Sequence, residues 1–233
     1  MTFLAILLAL VALILTGLPV FAALGLFGGV LMAIDEGSIA ALGEIVFGKL
    51  NVYLLVAIPL FTLMAHFMIR GRIVDDLYGT ANTLLRHLPG GLGVATVAAC
   101  TIFAAISGSS VATALTIGAV AIPQMRRYGY SDRAAYGVVG AGGTLGILIP
   151  PSGPMVLYAV IADASIGQLF MAGIVPGLLL ALFFSLYCLA SESFGGGGVE
   201  RPKRATVLEM MVAIRRSFWA LSLPVFVLGG MYM

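Results

Sequence analysis

Two short runs hold the residues best suited to binding an ion or a small polar solute. Ser107-Gly-Ser-Ser110 sets three hydroxyls around a glycine. Gly142-Gly-Thr-Leu-Gly-Ile-Leu-Ile-Pro-Pro-Ser152 sets three glycines and two adjacent prolines in the middle of a long apolar segment. Proline has no amide donor and glycine favours unwinding, so the second run cannot keep an unbroken helical ladder. In hydrocarbon each unpaired backbone group is costly, and such a break is tolerated only where it lines a protein-enclosed cavity. There the freed carbonyls become cation ligands. The chemistry expected is reversible ion and solute binding, as at a transport site.

Each residue has a plainer role beside the sharper one. Ser107, Ser109 and Ser110 can bond back to their own helix, or offer hydroxyls and carbonyls to Na⁺. Thr113 and Thr116 fit internal helix bonds better than ligation. Gly142, Gly143 and Gly146 could serve close helix packing, Gly142 and Gly146 having small-xxx-small spacing. With Pro150 and Pro151 following, an unwound stretch is the favoured reading. Gly143, Thr144, Ile147 (by its carbonyl) and Pro150 then join the three serines as sodium donors. Gly108, Ser110, Pro151 and Ser152 are the candidates for holding an anionic solute, where helix N-termini present their positive dipole ends. Arg126 could attract a carboxylate, although Arg126 and Arg127 also read as topology anchors at a helix end. No carboxylate falls deep in an apolar run, which argues against a proton relay and for a site of neutral oxygens.

The positioning elements must be membrane helices. The chain is 61% hydrophobic and 9% charged, whereas a soluble domain is about a quarter charged. A net charge of +2, with no basic cluster interleaved with aromatics, does not point to nucleic acid as a partner. Cys100 and Cys188 lie in apolar runs and read as packing residues. No metal-ligand cluster or paired catalytic constellation is present, so an enzyme is not expected.

Apolar stretches cover Thr2–Ile34, Val52–Ile69, Gly93–Pro123, Ala134–Ala162 and Leu169–Leu189, with a stub from Trp219. The first is too long for one upright span and too short for two, so a kink at Gly17-Leu-Pro19 should give one long tilted helix. Asp35, Glu36, Glu44 and Lys49 make an acidic loop. Basic connections carry Arg70, Arg72 and Arg86, then Arg126, Arg127 and Arg133, then Arg201, Lys203, Arg204, Arg215 and Arg216. The positive-inside rule puts the basic connections in the cytoplasm and the N-terminus with them. Gly93–Pro123 then starts and ends on one side, with too few residues for two spans of ~20 each. A re-entrant hairpin of two half-helices with Ser107–Ser110 at its tip satisfies both constraints. Gly71–Leu88 and Thr206–Phe218 read as amphipathic helices in the cytoplasmic interface, the second behind a Gly195–Gly198 linker.

Those two motifs, with Arg126-Arg-Tyr-Gly-Tyr130 and Ile174-Val-Pro-Gly177, resemble the large membrane subunit of tripartite ATP-independent periplasmic (TRAP) transporters. The resemblance covers essentially the whole chain and matches the first of that subunit's two inverted halves, so a truncated protein is suspected. It implies an all-α polytopic fold, half of an inverted-repeat elevator. Residues 1–70 would be scaffold helices, 71–92 an interfacial arm, 93–125 the re-entrant hairpin and 126–165 the broken helix. Residues 166–190 would be a further membrane helix, 191–218 a linker and second arm, and 219–233 the start of the next span. It implies sodium-coupled uptake of a small carboxylate across the bacterial inner membrane, with Na⁺ as coupling ion and no organic cofactor. Membrane lipid, a small membrane subunit and a periplasmic binding protein are the implied partners. A single-component sodium/dicarboxylate carrier and a non-transporting scaffold or pore subunit are the alternatives.

Overall fold

The computed structural model describes residues 2–35, 37–194 and 203–232. Glu36, Arg201 and the glycine linker expected at Gly195–Gly198 lie outside the described residues. Among those described, every regular element is helical. The chain divides into two units, Met1–Tyr53 and Leu54–Met233.

The first unit holds α1 (Thr2–Leu15), α2 (Val20–Asp35) and α3 (Leu42–Leu50). The expected single kinked helix is instead two helices. Gly17 takes a left-handed φ of 84°, and Pro19 has no amide to return to Leu15, so the ladder stops and restarts. The Pro19 carbonyl accepts the amides of Ala22 and Ala23 as α2 begins. The stretch expected as an acidic loop contains α3, with Glu44 in its first turn and Lys49 in its last. Both charges suit the helix dipole.

In the second unit a 3-10 turn, Tyr53–Val56, leads into α4 (Ala57–Arg70), followed by α5 (Ile73–Leu85). A hairpin follows, made of α6 (Gly91–Ser107) and α7 (Ser110–Arg127). Next come α8 (Asp132–Leu148), α9 (Gly153–Ala162), α10 (Ile166–Phe194), α11 (Val207–Arg216) and α12 (Phe218–Tyr232). Among the described residues, three helical stretches are long and apolar enough to cross a membrane: Tyr53–Arg70, Asp132–Ala162 and Ile166–Ser191.

The hairpin helices are longer than the half-helices expected. With 17 and 18 residues they reach about 25 and 27 Å at 1.5 Å per residue. Helix α7 runs through Pro123, at the cost of one bond to the Ala119 carbonyl.

Helix α6 is the axis of this unit. It packs against α5, α7, α8 and α10, and nearly all of it from Gly91 to Ser107 is buried. Its sequence, Gly-Leu-Gly-Val-Ala-Thr-Val-Ala-Ala-Cys, is small enough for backbones to approach, which is how helices associate without a hydrophobic drive in lipid. The two cysteines are free and buried and serve as packing partners. A Cβ on Gly93 would lie 2.9 Å from Cys188 Sγ, and one on Gly142 would lie 2.8 Å from Cys100 Sγ.

Helix α5 differs from the surface helix read from sequence. Val74, Leu77, Tyr78, Thr80 and Ala81 are buried, because α6, α7 and α11 all pack on it. Of the apolar positions at helical spacing, Ile73, Leu77, Leu84 and Leu88, Leu77 is fully buried and the other three are partly buried.

Helix α8 supplies a test of the packing. A Cβ on Gly146 would sit 2.5 Å from the Ser109 carbonyl oxygen, whereas one on Gly140 would meet nothing within 4 Å. Gly146→Ala should destabilise the fold by about 1–3 kcal/mol through overpacking. Gly140→Ala should be neutral or stabilising by up to about 1 kcal/mol, since alanine favours helix. Thermal unfolding of the two variants in detergent measures the contrast.

Candidate functional site

The tip of the hairpin is built by its serines. Helix α6 ends at Ser107, and Gly108 turns the chain in the left-handed region at φ 62° while its amide bonds the Ala104 carbonyl. Ser109 is extended and caps α7, its hydroxyl accepting the Ala112 amide at 3.3 Å. The Ser109 carbonyl accepts both the amide and the hydroxyl of Thr113, at 3.0 and 2.8 Å. Ser107 Oγ and Thr113 Oγ1 are 2.9 Å apart. Both readings of these residues are thus visible: the hydroxyls brace the tip, and their oxygens are collected in one place.

The break in the second run is narrower than the sequence suggests. Helix α8 is continuous through Gly142, Gly143, Gly146 and Ile147 to Leu148, which corrects the expected unwinding of the glycines. They serve packing instead: Gly143 faces Ala114, and Gly146 faces the backbone of Ser109. Only Ile149 to Ser152 is unwound, with a cis bond between Pro150 and Pro151. These prolines withhold the amides that the Gly146 and Ile147 carbonyls would take four residues on. Ser152 Oγ meets the Ile147 carbonyl at 2.7 Å, and Ser152 is fully buried.

Tip and break dock on one another. The Gly153 amide, first in α9, donates to the Gly108 carbonyl at 3.2 Å. A Cβ on Gly108 would lie 2.5 Å from the Pro151 carbonyl oxygen, so the turn requires glycine for space and for φ. Beside this contact lies a cavity of about 280 Å³, lined by Ser107–Ser110, Ile147, Gly153 and Pro154. Four helix ends therefore converge. The C-terminal ends of α6 and α8 bring carbonyls that suit a cation, and the N-terminal ends of α7 and α9 bring positive dipole ends that suit an anion.

Ser107, Gly108, Ser109, Ser110, Pro151 and Ser152 are thus brought together, with Ile147 at the rim and Pro150 buried next to them. Three candidates are not: Gly143 lies within continuous α8, packed against Ala114. Thr144 is exposed and its hydroxyl bonds back to the Ala141 carbonyl at 2.7 Å. Arg126 stands at the far end of α7, about 24 Å along the helix at 1.5 Å per residue, paired with Asp132 at 2.8 Å.

The cavity also has a wall that sequence reasoning missed: Ile58, Phe61 and Thr62 of α4, with Leu157 of α9. The i, i+3, i+4 spacing of the α4 residues marks one helix face. Nothing in the sequence distinguishes that face from a lipid-facing one.

The cavity is lined mostly by apolar side chains, with the serine hydroxyls and backbone oxygens of the tip as its polar part, and among the described residues no group of three or more His, Cys, Asp or Glu could hold a metal ion.

Comparisons with known proteins place this geometry. The family model for the tripartite ATP-independent periplasmic transporter, DctM component, matches residues 7–233. The chain is 41% identical over 212 residues to the C4-dicarboxylate TRAP transporter large permease protein DctM of Pseudomonas aeruginosa, covering 90% of this chain and 49% of that protein. It is 34% identical to the ectoine TRAP transporter large permease protein TeaC of Halomonas elongata, over 96% of this chain and 52% of that one. With the sialic acid TRAP transporter permease protein SiaT of Haemophilus influenzae the identity is 36%, over 79% and 30%. The chain spans about half the length of the large permease proteins it matches.

The Ser152 bond to Ile147 is testable by itself. Ser152→Ala should deprive the Ile147 carbonyl of its donor and cost about 1 kcal/mol. Thermal unfolding would show the loss, and hydrogen exchange at the Gly153 amide should quicken as the docked tip loosens.

Proposed function

This chain belongs to the DctM component family of tripartite ATP-independent periplasmic transporters, and from that premise we propose that it forms one half of a sodium-coupled, elevator-type importer. The relatives are permease proteins named for C4-dicarboxylate, isethionate, ectoine and sialic acid. A small organic acid is accordingly the proposed solute. The proposed setting is the bacterial inner membrane with the N-terminus in the cytoplasm. The partners are a small membrane subunit, a periplasmic binding protein and the remaining half of a longer permease.

The observation that carries this reading is the convergence of four helix ends on one cavity without a carboxylate. Na⁺ would take carbonyls and hydroxyls from Ser107, Ser109 and the end of α8 at Ile147. The solute's carboxylate would lie beside it, toward the amides at the starts of α7 and α9. A cage of neutral oxygens binds Na⁺ weakly enough to release it in each cycle. The hairpin would enter and leave the membrane from the cytoplasmic side, its tip near the bilayer midplane, and move with α8 and α9 as one body. The arms α5 and α11 would link that body to a static scaffold.

Two measurements check the proposal. His87 and Tyr128 flank the hairpin, and cysteines placed there should label from the same face of the membrane. Labelling from opposite faces would exclude a re-entrant hairpin. The second measurement is solute uptake against Na⁺ concentration, in a complete permease reconstituted with its partners. Pro150→Ala supplies the amide that the Gly146 carbonyl lacks, so α8 can extend and withdraw oxygens from the cavity. The half-saturating Na⁺ concentration should rise by about fivefold, as loss of roughly one hydrogen-bond equivalent predicts. Thr144→Ala should leave it unchanged. Normal uptake with unaltered Na⁺ dependence in Pro150→Ala would return the break to a packing role.

A further inference from the structure

Helix α11 has a face that membrane crossing does not explain. Its 10 residues extend only about 15 Å, half the ~30 Å hydrocarbon core. Yet none of its side chains is buried, and Val207, Leu208, Met211 and Ile214 are 69%, 72%, 64% and 43% exposed.

The helix is fixed in orientation by its other side. Thr80 Oγ1 donates to the Ala213 carbonyl at 2.9 Å, and Ser217 Oγ donates to the Asp76 carbonyl at 2.7 Å. Arg216 pairs with Asp76 at 3.3 Å, and Arg86 pairs with Glu209 at 3.5 Å. These contacts hold α11 against α5 with two ion pairs across the cleft, which Asp75, Leu208 and Val212 also line. The turn is also closed by a capping box, Thr206 and Glu209 satisfying one another's amides. Rotation of the exposed apolar residues toward α5 would break all of this.

Away from that cleft, the charges around α11 without an ion pair are positive. Lys203, Arg204 and Arg215 are exposed, and among the described residues no ion pair engages them. Lys203 and Arg204 stand just before the helix N-terminus, where the dipole makes cations unfavourable unless an external anion compensates. Immediately beyond the helix, Phe218 and Trp219 are 56% and 71% exposed, and aromatic side chains of this kind favour the headgroup level of a bilayer. Apolar side chains, a basic rim and an aromatic end are together what an anionic leaflet recognises.

We propose that α11 is an anionic-phospholipid docking helix: Val207, Met211 and Ile214 enter the acyl boundary while Lys203, Arg204 and Arg215 bind lipid phosphates. The surface serves to hold the α5–α11 pair at the membrane boundary. It depends on the chain being a membrane protein and is independent of which solute or ion is carried.

The sequence contains one tryptophan, Trp219, so intrinsic fluorescence reports this site. The chain would be reconstituted in phosphatidylcholine vesicles containing phosphatidylglycerol. Quenching by dibrominated phosphatidylglycerol would be compared with quenching by dibrominated phosphatidylcholine at equal mole fraction. Phosphatidylglycerol should be enriched about two- to fivefold at Trp219, the order expected for one gained charge contact per lipid. Added salt should reduce the enrichment. The triple variant Lys203→Gln, Arg204→Gln, Arg215→Gln should bring the ratio to about one. Arg133→Gln, an exposed change on α8, should not move it. Equal quenching by the two lipids in the unsubstituted chain overturns the proposal. So does an equal loss in Arg133→Gln, which would reveal a general charge effect. Absence of quenching by either lipid also overturns it, by placing protein over this face.

Discussion

The second unit depends on one missing donor pair. Pro150 and Pro151 cannot supply amides, so α8 must stop and α9 must start afresh within a few residues. In water such a stop would be trivial, since solvent would satisfy the loose ends. In hydrocarbon the orphan carbonyls and amides must find protein partners. Ser152 takes the Ile147 carbonyl, and the hairpin turn gives its Gly108 carbonyl to the first amide of α9. The break therefore creates the need that the hairpin tip meets, and the two are positioned by the same hydrogen bonds that make each tolerable.

That docking constrains residues well away from it. For the tip to reach the break, α6 must run buried along its length, and α7 must lie close against α8. Small residues make both possible: Gly93 against Cys188, Gly142 against Cys100 and Gly143 against Ala114. Because lipid tails compete equally for apolar side chains, close backbone contact is the main source of association available. The glycines of α8 thus act through what they admit, and the prolines act through what they withhold.

Much of this was legible in the sequence. The apolar runs gave every long helix of the second unit to within a few residues, and the two polar motifs proved to be neighbours. The glycines misled because unwinding and close packing draw on the same residue. Absence of a side chain permits both, and only the neighbouring helix decides. The α4 wall was invisible for a related reason: Ile58, Phe61 and Thr62 look alike whether they face lipid or a cavity. The extent of burial of α5 was not legible, because its polar residues, Thr80 and Asp76, meet partners on or just after α11 that lie far along the chain. Such long-range pairing leaves no periodic trace.

The α5–α11 contact is tied to the hairpin through α5. Helix α5 packs on α6 and α7 as well as on α11, and Asn82 of α5 donates to Gln124 of α7 at 3.2 Å. On its other side the Thr80 and Ser217 hydroxyls, 2.6 Å apart, join it to α11 where α12 begins. A buried hydroxyl pair tolerates little sliding, because separating it leaves polar groups unsatisfied. Surface ion pairs such as Arg216 with Asp76 are worth less and can re-form at a new register. The hydroxyl contact therefore couples α11 through α5 to the hairpin. Where α4 passes into α5, Arg72 holds a left-handed φ of 55°, a strained conformation for a side-chain-bearing residue.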